Sequence, residues 1–226
     1  MYNKYLIIYA LFLVVACSAD NYIGYQYLGA EYKTSPLGEE KSPDADPLIR
    51  FDAFDCTTFV ETSLADGDIE KLNNIRYKDG EIDFLSRNHF IESDWLINNS
   101  DMVKNVSSLY GPTKIRSVTI DKQNWLKVVH NIDADFKTEK VNLEYIPYED
   151  IKIIDTDKPL IVLFIVGNSE KYDKLGTDVA VVHMGFLLPD GRLRHASSQF
   201  GKVMDTDFYE YIKNKKGLGI TLVKIK

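Results

Sequence analysis

The feature that most narrows the fold of this chain is a series of short apolar runs in its C-terminal half. Ile151–Ile154, Leu160–Val166, Val179–Leu188, Leu193–Ser197 and Ile220–Ile225 are rich in Val, Ile, Leu and Phe and bounded by Gly, Pro or Asp. Runs of this length and punctuation are strands of an antiparallel sheet. The first half reads differently. Helices are predicted from Cys56 to about Ala65, over Ile69–Asn73, and from Lys122 to Ile132, the last carrying Trp125, Val128 and Val129 on one side. A strand is predicted over Lys114–Ile120 and a further helix from about Thr206 to Lys213, whereas Ile75–Asn99 shows no clear period. Helices first and strands later imply an α+β domain, the early helices packed on a C-terminal antiparallel sheet. With 226 residues the chain can bury a core without disulfides or a structural metal.

The N-terminus has another purpose. Lys4 precedes an apolar run, Tyr5–Ala16, too short to span a bilayer comfortably and of the length of a signal-peptide core. It ends in Val14-Val15-Ala16-Cys17, which resembles a bacterial lipobox, with Cys17 as the lipidated residue. The resulting partition is a signal peptide over 1–16, a tether over 17–26 and a single domain over 27–226. This puts the protein on the periplasmic side of a bacterial membrane, held by the lipid on Cys17. Plain secretion after cleavage behind Ala19, and an uncleaved apolar segment, are the alternatives. The formal net charge is −7 and the basic residues are scattered, so a phosphate backbone would be repelled and nucleic acid is not an expected partner. The domain is expected to act as a monomer.

If Cys17 is lipidated or removed, Cys56 has no partner within the chain. An unpaired thiol in an oxidising compartment is a liability unless it has a task. Asp55 is a favourable N-cap, so Cys56 opens the helix that follows. Cys56, Phe59, Val60 and Ser63 then share one face and point inward. A thiol there feels the positive end of the helix dipole, which is expected to lower its pKa. The same terminus offers N–H groups to an oxyanion. Further along, Val179–Leu188 and Leu193–Ser198 flank the turn Pro189-Asp190-Gly191. A turn centred on Pro189 would make His183 and His195 cross-strand neighbours on one face, Cβ atoms about 5 Å apart. One imidazole could then take the thiol proton while the other orients it.

These residues add up to a family likeness. A cysteine opening a helix, then His183-Met-Gly-Phe on one strand and His195-Ala-Ser on the next, resembles the NlpC/p60-type cell-wall amidohydrolases, a superfamily of permuted papain-like cysteine peptidases. Arg50-Phe-Asp-Ala-Phe-Asp-Cys-Thr-Thr-Phe-Val-Glu61, Ile75-Arg-Tyr77, Arg87-Asn-His-Phe90 with Asp94-Trp95, and His195-Ala-Ser-Ser with Gly201-Lys-Val203 resemble the N-acetylmuramoyl-L-alanine amidase-like branch. The likeness runs from about Tyr27 to the C-terminus. It implies a permuted papain-like fold, with Cys56 as nucleophile, His183 as base and His195 as the polar third member. It further implies cleavage of the amide between N-acetylmuramic acid and L-alanine in peptidoglycan fragments, without metal or organic cofactor. Tyr32, Arg50, Arg76, Arg87, His89 and Ser197 are the candidate substrate contacts, the arginines because guanidinium pairs bidentately with stem-peptide carboxylates. His130 is read as structural or solvated. The likeness is imperfect before His183, where Leu160–Asn168 and a charged loop through Lys174 replace the usual Gly-Asp lead-in.

Three other readings stay open from the sequence. The same triad could cut a bond within the stem peptide, a Cys-His-His zinc site could use the same residue types, or the chain could bind wall fragments without cutting them. The zinc reading lacks an evident fourth ligand.

Overall fold

The computed structural model describes residues 22–36, 49–167, 174–213 and 215–226. The expected signal peptide 1–16 and Cys17 lie outside the described residues. The strands are β1 (Glu31–Tyr32), β2 (Ala53–Phe54), β3 (Val103–Asn105), β4 (Lys114–Ile120), β5 (Glu139–Pro147), β6 (Leu160–Ile165), β7 (Val181–Leu187), β8 (Arg192–Ser197), β9 (Lys202–Asp207) and β10 (Gly219–Ile225). They form one sheet in the order β2-β1-β9-β8-β7-β6-β10-β5-β4, with β3 also paired to β10. Neighbours are antiparallel except β1 and β2, which run parallel. The principal helices are α1 (Cys56–Ala65), α2 (Ile69–Arg76) and, between β9 and β10, α3 (Phe208–Lys213). The architecture is mixed α+β, with a large sheet and several helices.

The apolar runs are continuous rather than alternating because the central strands are covered on both faces. In β6, Ile161, Leu163 and Ile165 enter the core that contains Phe54, Phe59, Val60, Met184 and Phe186. Their neighbours Leu160, Val162 and Phe164 enter the opposite core with Leu193, Phe208, Ile220 and Leu222. Helix α1 lies across β7 and β8 and fills the first of these layers.

Several boundaries differ from the sequence reading, each for an identifiable reason. Ile151–Ile154 is not a strand. Ile153 is 85% exposed, and the Ile154 N–H donates to the Tyr209 hydroxyl at 2.8 Å instead of to a neighbouring strand. Strands β5 and β9 carry many polar residues along exposed stretches, so their apolar signal is weak. The helix expected over Lys122–Ile132 is α-helical only over Lys122–Trp125 and continues as a π-helical turn over Leu126–His130 before Asn131 turns left-handed.

The packed chain also starts earlier than Tyr27. Tyr22 and Ile23, expected in a tether, pack on the main core. Their carbonyls accept hydrogen bonds from Arg194 Nη1 at 2.8 and 3.1 Å. Gly24, at φ 75°, passes so close to α1 that a Cβ would meet Ser63 Oγ at 2.7 Å and the Phe59 ring at 2.8 Å.

Candidate active site

Cys56 is the first residue of α1, where β2 delivers the chain into the helix. Asp55 caps it through a reciprocal box. The Thr58 N–H donates to Asp55 Oδ1 at 2.8 Å, and the Asp55 N–H donates to Thr58 Oγ1 at 3.0 Å. The remaining first-turn donors divide clearly. The Thr57 N–H also serves the Asp55 carboxylate and the Phe59 N–H donates to the Asp55 carbonyl. The backbone groups of Cys56 itself and of Met184 on β7 lie near the sulfur and favour its charged form. These two backbone groups converge where an oxyanion would form beside the thiol.

The histidines meet, though in a different register from the one expected. Strands β7 and β8 pair Phe186 with Arg194 and Leu187 with Leu193, which centres the turn on Asp190 rather than Pro189. Carried inward, that register sets His195 against Gly185, so the imidazoles are diagonal rather than opposite. A shift of two keeps both on one face, where a shift of one would have separated them. His183 Nε2 lies 2.8 Å from His195 Nδ1, with ring centroids 5.0 Å apart. Gly185 allows this closeness. A Cβ there would meet the Arg194 carbonyl oxygen and the His195 Cβ, each at 2.8 Å.

Cys56 and His183 line one cavity of about 230 Å³ together with Thr57, His89, Glu92 and Trp125. Burial pushes the Cys56 thiol up to about 12, and the Asp55 carboxylate beside it adds to the rise. The lowering expected from the helix terminus is therefore outweighed. Burial holds His183 down to about 3, helped by His195 and Lys215, and His195 down to about 4. The resting pair is a neutral thiol beside a neutral imidazole.

The other candidates separate into groups. Tyr32 is half-buried near Cys56 and Asp55; burial first, and then the proximity of these two acidic groups, raise its hydroxyl pKa. His89 borders both the Cys56 cavity and an adjacent one that holds Arg87, Arg76, Glu61 and Asp55. Its Nε2 is 2.7 Å from the Phe84 carbonyl oxygen, and burial depresses its pKa to about 3. Arg76 is not an open anchor: it is 1% exposed and pairs with buried Glu61 at 3.2 Å. Arg50 is engaged at the surface by Asp52 through bonds of 3.0 and 2.8 Å and lines neither cavity. Ser197, nearly buried, accepts from the Phe200 N–H at 3.3 Å and borders a larger cavity on the far side of His183. His130 packs edge-on against Phe84 and Trp125. Trp125, Tyr211 and Lys215 lie close to the site without having been singled out. Nothing in their local sequence distinguishes them, since only folding brings them to the histidines.

The family model described as AmiA-like, N-acetylmuramoyl-L-alanine amidase-like, matches residues 22–220. The chain belongs to this family. No curated protein matches the chain. Among solved structures, a Legionella pneumophila protein is similar at 23% identity and a TM-score of 0.78, over 89% of this chain and 86% of that one. An N-acetylmuramoyl-L-alanine amidase from Bacteroides uniformis is similar at 25% identity and a TM-score of 0.64, over 90% and 97%. A putative xylanase from Bacteroides fragilis is similar at 25% identity and a TM-score of 0.65, over 89% and 99%. The match of this amidase-like chain to the family model begins at Tyr22, which packs on the main core.

Proposed function

We propose that this amidase-like protein is an extracytoplasmic cysteine amidohydrolase of peptidoglycan fragments, with a permuted papain-like fold of the NlpC/p60 type. In this reading it cleaves the amide between N-acetylmuramic acid and L-alanine. The observation that carries the reading is the 2.8 Å contact between His183 and His195 beside a cavity that His183 shares with a helix-opening cysteine. With His183 Nε2 turned to His195, Nδ1 is the nitrogen left for the thiol. For Nδ1 to accept a proton, Nε2–H must donate to His195 Nδ1, which places the His195 proton on its own Nε2.

Because thiol and imidazole rest neutral, His183 takes the Cys56 proton as sulfur attacks the amide carbonyl. The oxyanion rests on the Cys56 N–H and the Met184 backbone donor. The C–N bond then breaks, His183 gives its proton to the departing L-alanyl amine, and water hydrolyses the thioester to release the muramoyl carboxylate and the thiol. A glycoside hydrolase would need two carboxyl groups flanking the scissile bond. Among the described residues Glu92 is the single acid bordering the Cys56 cavity, and its Oε1 is held by the Ala180 N–H at 2.5 Å. Lipidation of Cys17 would keep the domain at the membrane that carries it, with peptidoglycan fragments as partners.

Mass spectrometry of purified muropeptides incubated with wild-type protein and with Cys56→Ala tests the reading. Free stem peptide is expected from the wild type alone, with activity in the variant reduced by at least a thousandfold. Peptide fragments cut internally would move the assignment to an endopeptidase, and intact muropeptides with both proteins would reject hydrolysis.

A further inference from the structure

A second cavity of about 540 Å³ lies on the other side of His183, bordered by Ser197, Tyr148, Tyr211, Lys215 and Lys216. It touches the histidine but not Cys56, whereas the smaller cavity holds both. That division has a chemical meaning if the protein is an amidase. The acyl side of the bond must lie against the nucleophile, and the amine side must lie against the group that protonates it. The cavity bordered by His183 without Cys56 is therefore the place for the leaving peptide.

Its charge is unusual. Lys215 stands with its ammonium 3.8 Å from the centre of the Tyr211 ring, and among the described residues no carboxylate pairs with it. The site is partly desolvated, enough to lower the Lys215 pKa. Its positive charge also disfavours protonation of both His183 and His195. A half-buried cation facing the catalytic pair, with no carboxylate partner among the described residues, is a cost to the free protein, and an anionic ligand would remove it. The muramoyl portion of the bond brings sugar hydroxyls, whereas a stem peptide brings carboxylates.

We propose that this cavity is a carboxylate-binding subsite for the leaving peptide, with Lys215 as its cation, Tyr148 and Tyr211 as its walls and Ser197 as a neutral donor. This assignment of sides rests on the amidase reading, while the binding of an anion does not. Lys215, rather than Arg50 or Arg76, then anchors the stem peptide. Occupation by a carboxylate offsets the Lys215 charge, so His183 gains proton affinity when the correct leaving group is in place.

Calorimetry with full-length Cys56→Ala protein tests the subsite without catalysis. The probes are a stem-type L-alanyl peptide with free carboxylates and the same peptide fully amidated. The carboxylate form is expected to bind at least tenfold more tightly. That preference should vanish in the Cys56→Ala/Lys215→Met double variant and persist in Cys56→Ala/Lys215→Arg, which also guards against misfolding as the cause. Equal binding of both peptides, or a preference that survives Lys215→Met, would overturn the proposal. In the otherwise wild-type enzyme, Lys215→Met should raise KM for a carboxylate-bearing muropeptide about tenfold and leave the carboxamide analogue unchanged. Retained peptide discrimination with no hydrolysis of any muropeptide would reject the amidase reading alone.

Discussion

At Cys56 three influences on one thiol compete, and burial is the largest. The helix terminus and the backbone groups of Cys56 and Met184 favour a thiolate, but desolvation and the neighbouring Asp55 charge win, and the thiol sits at about 12. Sequence placement alone could not settle that balance, because Asp55 is at once the cap that builds the helix start and a negative charge beside the sulfur. Asp55→Asn separates the two roles. Asparagine caps as well as aspartate, so thermal stability should change little. Removing the carboxylate removes a cause that raises the thiol pKa, so the midpoint of thiol ionisation must move down. It should remain above the ordinary cysteine value, because burial is the larger cause. The rate of alkylation by iodoacetamide followed against pH measures this directly. An unchanged midpoint would mean that Asp55 carries no charge felt by the sulfur.

At the scale of elements, the hairpin β7–β8 converts a sequence spacing into a 2.8 Å contact between two histidines. Gly185→Ala tests how closely the two strands must run. The added methyl would lie 2.8 Å from both the Arg194 carbonyl oxygen and the His195 Cβ, and both are tied to backbone that cannot swing aside. Overpacking of this kind costs about 1–3 kcal/mol. Displacing His195 from His183 by about 1 Å should reduce kcat/KM for muropeptides by roughly a hundredfold. A folded Gly185→Ala protein with full activity would show that the His183–His195 contact is dispensable. The same hairpin shows what was legible. The helix start at Cys56 and the common face of His183 and His195 could be read from residues because both depend on local pattern. The two-residue register difference could not, since Leu188-Pro189-Asp190-Gly191 permits more than one turn centre. Strand β9 escaped because its residues are mostly polar, and Ile151–Ile154 misled because apolar β-branched residues mark strand propensity rather than a paired neighbour. Lys215 could not be singled out from sequence. Its run, Lys213-Asn-Lys-Lys-Gly217, reads as solvated charge until the fold brings Lys215 to the cavity that His183 also borders.

For the whole molecule, the question is whether the folded unit takes in Tyr22 and Ile23, because that limits how far the domain can stand from any anchor at Cys17. Arg194 answers it. The residue is fully buried on β8, paired with Asp205 at 2.8 and 2.9 Å, and its Nη1 reaches the carbonyls of Tyr22 and Ile23. A chain beginning at Tyr27 would leave Nη1 without those two acceptors, next in sequence to His195. It would also uncover the part of the core on which Tyr22 and Ile23 pack. Hydrogen bonds to charged groups contribute about 1.5–3 kcal/mol each, so the loss should be about 3 kcal/mol or more. In a domain of this size that corresponds to a fall in Tm of roughly 6–12 °C. Calorimetric melting of chains beginning at Ser18 and at Tyr27 makes the comparison. A difference below about 2 °C would restore Tyr22–Gln26 to a tether. A fall of the expected size leaves at most four residues between Cys17 and the packed chain, a reach of at most about 17 Å from Cys17 to Tyr22. A domain lipidated at Cys17 would then work close against its membrane and meet fragments that diffuse to it, rather than ranging through the wall.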